Sequence, residues 1–428
     1  MLSTMISLLL LLVFSGVAVA AVLGNLGLIL DGLFMGGRLQ LALGEFIWDK
    51  SQEFILVAVP MFILLGEIIL RAGIAERMYA AVAQWLSWLP GGLMHANIGS
   101  CALFAASSGS SVATAATVGT VAYPEIRRRG YNERLFLGSL AAGGTLGILI
   151  PPSINLILYG LLTDTSVPEL YLAGIIPGVL LAVLFMVTIV IGCLIRPSWG
   201  GNVVAISMRQ RIRTLPDLLP PIALFLAVVG TIYAGVATPT EAAAIGVVFA
   251  LVIAAWHRAL SVSMLCQAFE GTMRTTAMIM LIVLAALFLN FVLGFMGVTR
   301  ELTRYIDALG LSPTATMLII IVFYLLLGMV METFAMMLTT VPLIFPIVVG
   351  MGYDGVWFGI LLTVLMETGL ITPPIGINLY VVHGIRGGSG RFNDVSIGSI
   401  PFVVSMLVMV AILMVFPQLA TWLPQQFY

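Results

Sequence analysis

The sequence predicts an all-α polytopic membrane protein built from inverted repeats, with two re-entrant helical hairpins and two broken helices. Composition is the first reason. Of 428 residues, 61% are hydrophobic and 9% are charged, against about 25% charged in a soluble domain. Mean hydropathy is +1.15. The second reason is a stretch that occurs twice. Residues 124–152 read PEIRRRGYNERLFLGSLAAGGTLGILIPP, and residues 346–374 read PIVVGMGYDGVWFGILLTVLMETGLITPP. An offset of 222 (346 − 124) superimposes Pro124/Pro346, Gly130/Gly352, Tyr131/Tyr353, Phe136/Phe358, Gly147/Gly369, Pro151/Pro373 and Pro152/Pro374 without a gap. After a one-residue slip, Ile154-Asn155-Leu156 answers Ile377-Asn378-Leu379, and Gly174/Pro177 answers Gly398/Pro401. Apolar composition does not supply paired Pro-Pro and Gly-Tyr at one spacing. Gly/Pro interruptions at matching places in two halves of a membrane protein point to a transporter's binding site.

Charge is the third reason. Residues 127–134 hold Arg127, Arg128, Arg129 and Arg134, whereas the matching stretch, 350–355, holds no basic residue. Positive loops stay in the cytoplasm. Threading outward from that anchor leaves Arg38, Lys50, Arg300 and Arg304 outside and the other 14 of the 18 basic residues inside. This requires both hairpins to return to their own side. The halves are then inverted, with the N-terminus inside and the C-terminus outside.

In chain order, a spanning helix needs about 20 apolar residues. Helix 1 covers 4–30; with no positive leader and so long an apolar run, it reads as an uncleaved first helix. Helix 2 covers 53–71. Residues 74–89 are too polar to span and read as an interfacial helix, with Trp85 and Trp88 at headgroup depth. Residues 92–126 are rich in Ala, Ser, Gly and Thr around Ser107–Ser111, and read as the first hairpin. A serine/glycine turn at that depth must be buried in protein or line a watery cavity. Helix 3, 132–162, breaks at Gly147 and Ile150–Ser153, because proline lacks the N–H its helix needs. Helix 4 is 170–195, and helices 5 and 6 are 218–235 and 239–256. Residues 259–273 are amphipathic and match the interfacial role of 74–89. Helix 7 is 275–296. The second hairpin, 313–350, turns near Met331-Glu332-Thr333. Helix 8, 355–385, breaks at Thr372-Pro373-Pro374, and helix 9 is 399–421.

The chemistry gathers at the breaks. Half-helix N-termini favour anions and free carbonyls favour cations. The tips add the hydroxyls of Ser107, Ser108, Ser110, Ser111 and Thr333; the breaks add Ser153, Asn155, Thr372 and Asn378. Oxygen donors without thiolate or imidazole suit a hard cation such as sodium, and the same groups can hold a carboxylate or sugar hydroxyls. Small residues also serve simple helix packing, and a Pro-Pro pair also serves a simple kink. The coincidence of both features, twice, at one spacing favours a site. Among intramembrane acids, which default to functional candidates, Glu332 lies at the second tip and Glu367 about two turns from the second break. Glu67, near a helix end, can reach the interface, and Glu241 reads as a cap. Cys101, Cys193 and Cys266 lack metal or disulfide spacing and read as small buried residues. Ser107–Ser111 resembles a nucleophile loop only loosely. His95 is a candidate base only if the hairpin folds differently, and no HExxH, GxSxG or paired Asp motif appears, so catalysis is disfavoured. A passive channel or structural subunit is the alternative to a transporter.

The runs GSCALFAASSGSSVATAATVGTVAYPEIRRRGY, GTLGILIPPSINLILYG, VATPTEAAAIG and FGILLTVLMETGLITPPIGINLYVV resemble the large, DctM-like membrane subunit of tripartite ATP-independent periplasmic (TRAP) transporters, over nearly the whole chain. The resemblance implies the ion-transporter-superfamily architecture, with an elevator-type transport domain beside a scaffold in a bacterial inner membrane. On that division the scaffold takes 1–91, 163–273 and 386–428. The transport domain takes 92–162 and 313–385, and 274–312 holds helix 7 and a second interfacial arm. The resemblance further implies sodium-coupled uptake of a small organic acid delivered by a periplasmic binding protein. It also implies a separate small four-helix membrane subunit, since no extra helices precede helix 1. Carried over residue by residue, the substrate pocket takes Ser108, Ser110, Ser153, Asn155, Pro374, Gly376 and Asn378. Sodium sits behind each tip, near Gly109, Ser111, Gly147 and Pro151 on one side. On the other it lies near Glu332, Thr333, Gly369 and Thr372, in a tip that Met329 and Met331 make apolar. Relatives handle sialic acids, C4-dicarboxylates, keto acids, sulfonates and compatible solutes.

Overall fold

In the computed structural model, which describes residues 2–202, 207–388 and 390–427, helices dominate and no named strand occurs among the described residues. The side chains of Ser107 and Arg127 lie outside the described set. Seven helices are long and apolar enough to cross a membrane, or eight if the bent pair Glu133–Leu149 and Ile154–Thr163 counts as one.

The first hairpin is Leu93–Ser108 and Ser111–Arg129, turning at Gly109-Ser110. Gly109 takes φ +57°, a left-handed conformation that glycine adopts without a steric penalty. The helix that follows breaks as the prolines require, with a 44° bend across Ile150–Ser153. The second hairpin is Pro313–Gly328 and Thr333–Gly350, and its broken partner is Gly355–Leu370 and Ile377–Ile385. The Pro151–Pro152 and Pro373–Pro374 peptide bonds are both cis.

The residues that match at the 222 offset do comparable work in each half. Gly130 (φ +68°) and Gly352 (φ +89°) turn the chain out of each hairpin. A methyl on Gly147 would press on the Ser110 carbonyl at 2.7 Å; one on Gly369 would press on the Gly328 backbone at 2.5 Å. Both glycines let a broken helix touch the turn of its own hairpin. The aromatic pairs differ in detail: the Tyr131 hydroxyl accepts from Leu93 N–H at 3.0 Å, while Tyr353 stacks on Trp357 with ring centroids 5.1 Å apart.

Packing sorts the helices into two groups. Val167–Ile195 and Phe392–Val415 lie against the broken helices. Gly174 sits against the Leu149 carbonyl, and Gly138 and Gly398 meet backbone to backbone. The Tyr171 hydroxyl donates to Ser153 O at 3.3 Å, and the Ser399 hydroxyl donates to Ile371 O at 3.0 Å. Each of these helices thus feeds a donor into one break. The second group is Val19–Leu30, Ala58–Arg71, Leu219–Tyr233, Pro239–Trp256 and Val262–Met296, which pack mainly on one another.

Four expectations change. Helix 1 is two helices, Leu2–Phe14 and Val19–Leu30, because the chain turns at Gly16 (φ +73°). Residues 259–273 are not a separate interfacial piece. Val262–Met296 is continuous, since nothing from 262 to 296 removes a backbone donor; the strongly amphipathic short helix of this half is Val298–Ala308. Helix 9 starts earlier, at Phe392, and ends at Val415. Beyond it, Pro417 precedes a separate helix, Gln418–Phe427. Cys266 is exposed, whereas Cys101 and Cys193 are buried. The capping role of Glu241 stands: its carboxylate accepts from Thr238 N–H at 2.8 Å.

The Gly138–Gly398 contact gives a stability test. Gly138→Leu should destabilise the solubilised protein by about 1–3 kcal/mol or more, because no side chain can yield at a backbone contact. Gly294→Ala, where an added methyl meets nothing within 4 Å, should leave the unfolding midpoint unchanged or slightly raised. Thermal unfolding followed by intrinsic fluorescence distinguishes the two.

Candidate solute and ion site

Helix ends at a break leave N–H and C=O groups that need partners, and the local sequence supplies them. Ser110 caps Ser111–Arg129, its hydroxyl accepting from Ala113 N–H at 3.4 Å. Ser153 caps Ile154–Thr163 by accepting from Leu156 N–H at 3.4 Å. Glu332 caps Thr333–Gly350 with one carboxylate oxygen, which accepts from Phe334 N–H at 2.9 Å and Ala335 N–H at 3.2 Å. Its other oxygen accepts from the Thr333 hydroxyl at 2.9 Å.

Both tips face one cavity of about 390 Å³, within the range for small-molecule sites. Ser108, Ser110 and Ser111 reach it from the first tip and Glu332 and Thr333 from the second. Ile148 and Ile154 flank it at one break, Leu370 and Ile377 at the other. Its far wall is Ile63, Glu67, Thr275 and Ile279, from the second helix group. The cavity therefore lies on the seam between the two groups. No arginine is among its lining residues.

The remaining predicted residues lie behind this surface. Ser153, Asn155 and Asn378 are fully buried, and Gly109, Gly147, Pro151, Gly369, Thr372, Pro374 and Gly376 are not among the lining residues. The Asn378 amide donates to Ala141 O at 3.3 Å, joining the two halves. Neither side-chain atom of Asn155 has a hydrogen-bond partner among the described residues. The Thr372 hydroxyl donates back to Thr368 O at 2.6 Å. Glu367 lies in the last turn of Gly355–Leu370, closer to the break than its sequence distance implies, and Ser111 of the other half donates to it at 2.6 Å.

Glu67 does more than reach the interface. It faces the cavity, is paired with Arg71 at 2.9 Å, and packs against Gly271. Arg71 also donates to Gln267 at 2.9 Å. Sequence reasoning missed Thr275 and Ile279, which carry no motif. It also missed Asp31, a buried carboxylate that accepts from Leu39 and Gln40 N–H at 3.2 and 2.9 Å.

Apolar spans, broken helices and a solute-sized chamber between two helix groups define a membrane permease. The profile of the family described as "Tripartite ATP-independent periplasmic transporter, DctM component" matches residues 5–419, and the chain belongs to that family. It is 34% identical to the C4-dicarboxylate TRAP transporter large permease protein DctM of Pseudomonas aeruginosa, with 88% of each chain covered. It is 30% identical to the sialic acid TRAP transporter large permease protein SiaM of Vibrio cholerae, covering 96% of this chain and 99% of that one. The YdaH transporter of Alcanivorax borkumensis shares the fold, with a TM-score of 0.61 at 16% identity over 98% of this chain and 99% of that one. These family relatives are transporter permeases, not enzymes, and the chain is a secondary-transporter large permease for organic substrates.

The Glu332 cap is open to test. Glu332→Ala should cost about 0.5–2 kcal/mol of stability by releasing two helix N–H groups, and Glu332→Asp should retain most of it. Chemical denaturation of the purified protein measures both.

Proposed function

We propose that this permease imports a small organic acid coupled to sodium, receiving it from a periplasmic binding protein and working beside a small four-helix membrane subunit. The carrying observation is the cavity, which touches both hairpin tips on one side and Glu67 and Thr275 on the other. A chamber on a seam between two helix groups is what a moving body sliding past a static one needs. The moving body holds both hairpins and both broken helices. Packing favours adding Val167–Ile195 and Phe392–Val415 to it, since these helices complete the breaks. That shifts the division drawn from sequence, where both counted as scaffold. The scaffold is then Val19–Leu30, Ala58–Arg71, Leu219–Tyr233, Pro239–Trp256 and Val262–Met296. The halves run inverted in the inner membrane, with the N-terminus cytoplasmic and the C-terminus periplasmic, as the arginine distribution favours.

The substrate acid meets Ser108 and Ser110 in the chamber. Ser153, Asn155, Pro374, Gly376 and Asn378 form the buried floor that holds the half-helix ends in place. Sodium binds behind the tips, near Gly109, Ser111, Gly147 and Pro151, and near Glu332, Thr333, Gly369 and Thr372. The donors fit a hard cation: hydroxyls, carbonyls and carboxylates, with buried atoms at Asn155 and Glu367 that lack partners among the described residues. With no arginine in the lining, an anionic substrate is held by helix N-termini, hydroxyls and the ion's charge. The named relatives carry C4-dicarboxylates and sialic acid, so a carboxylate is the shared feature of the substrate class. Each sodium charge moved inward contributes about 2.3 kcal/mol per 100 mV. Two such charges support roughly thousandfold accumulation of a neutral load.

Proteoliposomes holding this chain and its small subunit test the proposal. Uptake of carboxylic acids should require both an inward sodium gradient and the binding protein. Ser110→Ala combined with Thr333→Ala should reduce sodium-dependent uptake at least tenfold. Downhill flux without sodium or binding protein would replace the transporter reading with a channel.

A further inference from the structure

One acid near the site is used by none of the caps. Glu367 is fully buried on Gly355–Leu370, in the second half of the chain. One of its oxygens accepts from the Ser111 hydroxyl at 2.6 Å. The other has no hydrogen-bond partner among the described residues. No lysine, arginine or histidine forms an ion pair with it among the described residues. Burying a carboxylate without a counter-charge is costly, and such groups persist when they are paired or bind a cation.

The first tip, which Glu367 meets through Ser111, is rich in oxygen. Ser111 opens the second arm of the first hairpin, directly after the Ser110 cap. The Ser110 carbonyl lies against Gly147, where a methyl would approach to 2.7 Å. Ser108 and Thr114 share a hydrogen bond of 2.7 Å in the same turn. Asn155, just beyond the first break, keeps both amide atoms without a partner among the described residues. Gly109 packs on Pro152 O and Ile154 N, which brings that break to the tip.

We propose that Glu367 is an anionic ligand of the cation held at the first hairpin tip, reaching it from the opposite half. This rests on the sodium-coupled reading above and deepens it. The cation neutralises the carboxylate, and the carboxylate anchors the first tip to the second broken helix through Ser111. Ion binding is thereby linked to the contact between halves, so a loaded site holds both tips in register around the chamber. A hydroxyl-only site at this tip would lack that link.

The test reads ion binding without transport. The purified full chain in lipid nanodiscs is titrated with sodium chloride, choline chloride holding the ionic strength, and the unfolding midpoint is recorded. The wild type should rise saturably. Glu367→Gln keeps the shape and the acceptor for Ser111 but removes the charge. Its half-saturating sodium concentration should rise at least tenfold, while its midpoint in choline alone should equal or exceed the wild-type value. Ser111→Ala should shift the titration less, in the same direction. If E367Q does not fold, E367D carries the test, with weaker but saturable sodium stabilisation expected. A wild type that responds and a charge or arm-length variant that responds identically would overturn the role of Glu367 and leave sodium coupling standing. A wild type with no sodium response would overturn both.

Discussion

A lipid-embedded chain cannot leave backbone groups without partners, and every feature of the site follows from how this protein meets that demand at its four interruptions. A continuous helix pairs its own donors and acceptors. A tip or a Pro-Pro break exposes several of each. Here Ser110, Ser153 and Glu332 take up helix N–H groups, while the hydroxyls of Tyr171 and Ser399 satisfy carbonyls within the breaks. The breaks are tolerated because neighbouring helices complete them.

That requirement also fixes which helices belong together. Sliding Phe392–Val415 away would take the Ser399 hydroxyl from Ile371 O, a penalty of about 1–3 kcal/mol for a buried group left unpaired. Tyr171 is a second donor to Ser153 O, which also accepts from Ile157 N–H. The backbone contacts at Gly174 and Gly398 add shape to the same constraint. The opposite wall is tied more sparsely, the Asn290 amide on Val262–Met296 donating to Leu338 O of the second hairpin at 3.3 Å. Ala58–Arg71 and Val262–Met296 offer the chamber side chains such as Ile63 and Ile279, and Glu67 is neutralised within its own group by Arg71. A surface with few cross-links is one at which relative motion costs less.

Much of this architecture was legible because proline and glycine act locally. Pro151-Pro152 and Pro373-Pro374 end helices wherever they occur, so both breaks and both tips could be located from sequence. The misread segments carry at most a lone glycine or proline, such as Gly16 or Pro417, which helices elsewhere in this chain tolerate. Residues 259–273 are polar, yet they simply extend a spanning helix past the membrane. The turn at Gly16 lies within an apolar run that composition alone reads as unbroken. Site residues were legible in the tips, where Ser108, Ser110, Ser111, Glu332 and Thr333 share the cavity. The far wall was not, because Thr275 and Ile279 are ordinary members of an apolar helix. The Ser111–Glu367 contact joins residues 256 apart, and no local pattern encodes a meeting across halves.

The two tips also show that equal folds need not use equal residues. At the offset of 222, Ser110 faces Glu332 and Thr145 faces Glu367. The first tip caps its helix with a neutral hydroxyl and finds a carboxylate across the halves. The second caps with its own carboxylate, and Thr145 of the first half stays local, donating to Ala142 O at 2.6 Å. Each tip thus has one acid close by, Glu332 from within and Glu367 from opposite. A helix N-terminus carries partial positive charge, so the Glu332 carboxylate is partly offset by the helix it caps. Glu367, at the end of its helix, meets the negative pole and receives no such offset. Of the two acids, Glu367 therefore has the stronger need of a cation, and the two ends of the chamber differ in charge although they share a backbone plan.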